Sequence, residues 1–148
     1  MIPDFEENGN LPKGIYKAAF YEVKDAFGTA SARRKWLIGI LQKIIELAKS
    51  TGRLERVIIW GSFVSDKEFP NDIDLLFIMK ENFIVEDVAP EVKSVFDYVK
   101  GRLVFNADIF WTKSSIGEET INLWLETYQM TRNFEPCGII EVIINDQE

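Results

Sequence analysis

The stretch from Trp60 to Met79, WGSFVSDKEFPNDIDLLFIM, joins the end of one apolar run to the whole of a second, and it puts two aspartates, Asp72 and Asp74, at the head of the second. Side chains alternate across a strand, so a strand over Asp72 to Met79 places both acids on one face with Leu76 and Ile78, and Ile73 and Leu75 on the other. A half-solvated strand would stay polar along that face. Here it turns apolar directly after Asp74, so the carboxylates stand at the mouth of a buried strand. Burying a carboxylate without a partner is costly, and the pair therefore needs a cation or hydrogen-bond donors beside it.

Upstream, LERVIIW from Leu54 to Trp60 is a second β-rich run that stops at Gly61. The segment between the two runs, Gly61 to Asn71, is too long for a tight hairpin and can hold a turn or two of helix. A glycine at a strand end lets a backbone come close to a ligand, and a short helix starting at Ser62 would turn its free amides and hydroxyl toward an anion such as phosphate. Ser65 and Lys67 lie in the same segment and can add phosphate contacts. Lys67 also fits a solvated surface lysine.

Downstream, Pro90 opens a predicted helix through Val92, Val95, Phe96 and Val99 that stops at Gly101, and RLVFNADIFW, Arg102 to Trp111, reads as a third strand. On it Val104, Asn106, Asp108 and Phe110 share a face, so Asp108 is a third acid among apolar neighbours. If this strand lies beside Asp72 and Asp74, three carboxylates converge. An all-oxygen set of this kind suits Mg²⁺, or Mn²⁺, taken together with substrate phosphates and water.

The remaining chain supplies the layers around these strands. LPKGIY is a candidate edge strand, and Ile15, Ala19, Phe20, Val23 and Phe27 fall near a helical period closed by Gly28. Ser31 can cap a longer helix whose stripe is Trp36, Leu37, Ile40, Leu41, Ile44, Ile45 and Ala48, up to Gly52. SARRKW at its start reads as a solvated basic helix start. Ser115 with Glu118 resembles a capping box ahead of a helix carrying Ile121, Trp124, Leu125 and Tyr128, and Gly138 to Ile144 reads as a last strand. Strands and helices alternate, which predicts one α/β (α+β) domain over residues 1–148, a mixed sheet flanked by helices.

Composition narrows the function. Hydrophobic content is 47% and charged content 28%, as in ordinary globular chains. No apolar run reaches the roughly 20 residues of a membrane span, and the start is acidic where a secretory signal would be basic, so a cytoplasmic protein is expected. A net charge of −7 opposes tight nucleic-acid binding. With one cysteine and no histidine, an internal disulfide and a His/Cys zinc site are excluded.

Taken together, GSFVSDKEFPNDID followed by Asp108 resembles the signature of the nucleotidyltransferase superfamily that includes DNA polymerase beta: Gly-Ser, about ten residues, Asp-apolar-Asp in a strand, and a third acid on a later strand. The match falls on Gly61, Ser62, Asp72, Asp74 and Asp108, within Val57 to Trp111. The opening LPKGIY and the short chain are similar to minimal members and to uncharacterised bacterial proteins assigned to this fold. The resemblance implies transfer of a nucleoside monophosphate from a nucleoside triphosphate, ATP favoured, to a hydroxyl. It implies that Asp72 and Asp74 hold metal, that Asp108 is ligand and base, and that Gly61 and Ser62 grip phosphate.

Asp66 and Glu68, in the same segment, would repel a triphosphate unless they point away. Small members of the superfamily often work beside a helical partner protein, as an antitoxin that adenylylates its toxin, so such a partner is an expected acceptor. The alternatives are a binding module that keeps the fold with weak catalysis and docks a partner through the Trp124–Tyr128 helix, and a small antibiotic- or nucleotide-modifying enzyme. Helical spacing favours a core role for Trp124, Leu125 and Tyr128.

Overall fold

In the computed structural model, which describes residues 1–144, the chain forms a five-stranded mixed sheet with helices on both faces. Strand β1 (Gly14–Ala18) leads into helix α1 (Phe20–Phe27) and the long α2 (Ala32–Lys49), then β2 (Leu54–Trp60) and β3 (Ile73–Met79). The chain continues through α3 (Pro90–Lys93) and α4 (Tyr98–Phe105) to β4 (Ala107–Lys113), α5 (Glu118–Tyr128) and β5 (Gly138–Val142). The order across the sheet is β1-β5-β2-β3-β4. β5 runs parallel to β1 and antiparallel to β2, β2 and β3 are antiparallel, and β3 and β4 are parallel.

The pleat sorts the core into two layers. Val57, Ile59, Leu75, Phe77, Ile109 and Ile140 face α1 and α2, where Val23, Phe27, Leu37, Leu41 and Ile44 complete a large cluster. Ile58, Leu76, Ile78 and Ile139 face α5 and pack on Ile121 and Leu125. Burial on this scale contributes about 25 cal/mol per Å² of apolar surface removed from water. β5 is buried along its whole length because it lies between two strands with a helix layer on each side, which explains its weak alternation. On the α5 face its Glu141 pairs with Arg56 through two bonds of 2.8 and 3.0 Å.

Several expected boundaries move. Ile15 belongs to β1, not to the first helix, which starts at Phe20; this confirms LPKGIY as the approach to an edge strand. Gly28 does not close α1 in a left-handed turn (φ −106°). It is small because α2 crosses close by, where an added Cβ would stand 2.9 Å from Ile38. Trp36 falls off the buried stripe and is half-exposed. The helix from Pro90 breaks at Asp97, whose side chain caps α4, and α4 runs through Arg102 to Phe105. Asn106, in the left-handed region at φ 51°, ends it, so β4 starts at Ala107 and Val104 is helical. The Ser115–Glu118 capping box is absent: Ser115 sits in a 3₁₀ turn, and Gly117 precedes α5 with no side-chain cap.

Candidate metal centre and adjoining cavity

Two register facts bring the acids together. Asp74 pairs with Trp60 on β2 and with Asp108 on β4, all on the α5 face, and Asp72 lies just before β3. Carboxylate oxygens of Asp72, Asp74 and Asp108 fall within 4.8 Å of one another, and the three residues could hold a metal ion. The side-chain alternation expected for Asp74 and Asp108 holds, although Val104 and Asn106 lie outside the strand.

Three anionic groups at this range need compensation, and α4 supplies part of it. Arg102 places one Nη1 at 2.8 Å from Asp72 Oδ2 and 3.2 Å from Asp108 Oδ1, and the Tyr98 hydroxyl donates to Asp108 Oδ1 at 3.0 Å. Among the described residues Asp74 has no such cation in contact. Burial above all, then the hydrogen bond to Asp108 and the charges of Asp72 and Asp108, push its carboxyl up to about 7, with Arg132 acting in the opposite sense. A hard divalent cation fits this donor set, because it takes carboxylate oxygens and relieves the same repulsion.

Gly61 makes the approach possible. It sits at φ 85°, and a Cβ there would collide with Asp74 Oδ2, so only glycine allows β2 to end against that carboxylate. Ser62–Val64 then form a single 3₁₀ turn, as the short-helix expectation for Ser62 required. The Ser65 hydroxyl is turned inward, donating to the Ser62 carbonyl at 2.7 Å and accepting from the Lys67 amide at 3.2 Å. Asp66 and Glu68 are exposed and outside the site; the Asp66 carboxylate is turned to Gly9.

All seven residues singled out in the sequence, Gly61, Ser62, Ser65, Lys67, Asp72, Asp74 and Asp108, line one cavity of about 710 Å³. Such a volume accommodates a nucleotide-sized ligand. Trp60, Phe110 and Tyr128 also line it, as does Arg132 from the loop after α5. That loop is tied by the Met130–Pro136 bridge and by Thr131 Oγ1, which accepts from the Asn133 and Glu135 amides. Among the described residues neither Lys67 nor Arg132 forms an ion pair.

Sequence reasoning missed four residues. Arg34 is not a solvated helix start; it is buried under the Gly61–Lys67 loop, donating to the carbonyls of Phe27 (3.0 Å), Phe63 (2.7 Å), Ser65 (2.7 Å) and Lys67 (2.6 Å). Its signal was present, since Arg34 extends the stripe Leu37, Leu41, Ile44 and Ala48 by one turn. Arg102 and Tyr98 were hidden by reading their segment as a strand and an earlier helix. Arg132 carries no periodic signal.

Fold and site thus define a mixed α/β protein with an aspartate triad that could hold a metal ion at the head of the neighbouring strands β3 and β4. The chain belongs to a family described as a family of unknown function (DUF6932), whose model matches residues 3–143. No curated protein and no solved structure matches it.

Proposed function

We propose that this protein is a nucleotidyltransferase that moves a nucleoside monophosphate from a nucleoside triphosphate, with ATP as the favoured donor, to a hydroxyl acceptor, using Mg²⁺ or Mn²⁺. The observation that carries this reading is the meeting of Asp72, Asp74 and Asp108 beside the Gly61–Ser62 turn in one cavity. The acceptor oxygen attacks the α-phosphorus as the bond to the bridging oxygen breaks; pyrophosphate leaves with that electron pair, and the acceptor proton passes to Asp108. A bound divalent cation would neutralise phosphate charge as it shifts from the α-phosphate to the leaving group. Ser62, Lys67 and Arg132 are the chain's own groups for the polyphosphate. The proposed acceptor is a hydroxyl of a partner protein with a helical surface.

Wild-type protein with Mn²⁺ and nucleotide labelled at the α-phosphate should transfer label to a co-purified acceptor, and Asp108→Ala should reduce transfer at least a hundredfold while leaving the melting temperature within a few degrees. Absence of transfer from all four ribonucleoside triphosphates would end the enzyme reading. One observation favours a second reading, a binding protein with weak catalysis: Arg102 and Tyr98 already satisfy Asp72 and Asp108 without any metal. Partner binding that survives Asp108→Ala, with no label transferred by the wild type, would select it.

A further inference from the structure

Trp60, Phe110 and Tyr128 line the cavity together with the acids, and they belong to a row of rings that Tyr98 extends. Tyr128 stacks on Trp60 with centroids 3.6 Å apart and planes 3° apart; Phe110 follows at 6.1 Å from Trp60 and 23°, and Tyr98 at 5.3 Å from Phe110 and 32°. Trp60 and Tyr128 also pack on the α5 layer, which accounts for them as core. Phe110 is different. Its register partner Leu76 is 1% exposed, yet Phe110 stands 42% exposed, two residues after Asp108 on the same face of β4 and lining the same cavity. A ring fixed between two others and left uncovered beside an ion-binding group is suited to stacking with a flat partner, since every nucleobase has a π-face and such stacking needs no base-specific hydrogen bond.

The same cavity carries the groups an anionic tail would require, the cations of Lys67 and Arg132, neither held in an ion pair among the described residues. A ligand that is planar and apolar at one end and polyanionic at the other satisfies both. We propose that Phe110 is the stacking platform for the nucleobase of the bound nucleotide, an assignment that rests on the nucleotidyltransferase reading and gives it a base subsite. Because stacking discriminates poorly among bases, the platform accepts purines over pyrimidines only by ring area.

The test separates ring from tail by comparing Mg²⁺–ATP with Mg²⁺–tripolyphosphate in titration calorimetry on the full chain. Wild type should bind ATP about tenfold more tightly than tripolyphosphate. Phe110→Ala should bring ATP down to the tripolyphosphate level without weakening tripolyphosphate, and Phe110→Trp should restore the preference, which also shows that the position tolerates change. Equal affinity of wild type for ATP and tripolyphosphate, or a Phe110→Ala loss shared by both ligands, overturns the platform while the phosphate-binding reading stands. Failure of wild type to bind either ligand overturns the reading and the platform together.

Discussion

Asp74 offers the sharpest test of the centre's electrostatics. Its carboxyl is raised from 3.8 to about 7, so the native state keeps a proton that the unfolded chain releases. For an acid raised in this way, stability is greatest at low pH and falls as pH rises from about 4 through about 7, then levels off. A rise of this size corresponds to about 4 kcal/mol when Asp74 is fully ionised, of which about 2 kcal/mol falls between pH 5.5 and pH 8. Asp74→Asn removes the charge and keeps an amide that can donate to Asp108. In metal-free buffer it should melt above wild type at pH 8, and the gap should narrow by about 6 °C at pH 5.5, taking roughly 3 °C per kcal/mol for a chain of this length. Adding Mn²⁺ at pH 8 should raise wild type alone, since the cation stabilises only the folded state that binds it. The assay is thermal unfolding followed by circular dichroism at both pH values. A variant no more stable than wild type at pH 8, or a gap that does not narrow on acidification, would refute the account of a buried, mutually repelling triad.

Other perturbations probe the surroundings. Arg102→Gln removes the guanidinium that bridges Asp72 and Asp108 and should tighten Mn²⁺ binding about tenfold in calorimetry, because a nearby fixed cation opposes a second one; weaker binding would show that Arg102 only shapes the site. Arg34→Ala should lower stability by about 3 kcal/mol in urea unfolding, since several loop carbonyls lose their charged donor. Arg34→Lys should recover only part, as an ammonium cannot span the same carbonyls. Glu141→Ala leaves Arg56 partly buried without its partner and should cost about 3 kcal/mol by the same measurement, with metal affinity unchanged.

Much of the centre was legible in the chain because strand alternation is a local rule. Asp72 and Asp74 were placed on one face of a strand, and Asp108 with Phe110 on one face of a later strand, from period two alone, and the switch from acid to Leu76 and Ile78 marked where solvent ends. Gly61 and Ser62 fit either a plain turn or a close-approach turn in the sequence, because a glycine at a strand end has no Cβ to block a neighbouring group. The end of α4 was not legible: Val104 and Phe105 are good strand formers, and only Asn106 in the left-handed region and the packing of α4 on β4 make them helical. Reading them as strand concealed Arg102 and Tyr98.

By itself, then, the sequence determined that Asp72 and Asp74 share a face at the mouth of a buried strand and that a glycine turn precedes them, since those features follow from the pleat and from sterics within a few residues. Tertiary structure alone decided that β3 and β4 are neighbours in a register opposing Asp74 to Asp108, that Arg34 is buried beneath the turn, and that Arg102, Arg132 and the ring row surround the acids. These are contacts between segments tens of residues apart. They are set by which apolar faces can be covered together, a balance over the whole core that no short window of sequence contains.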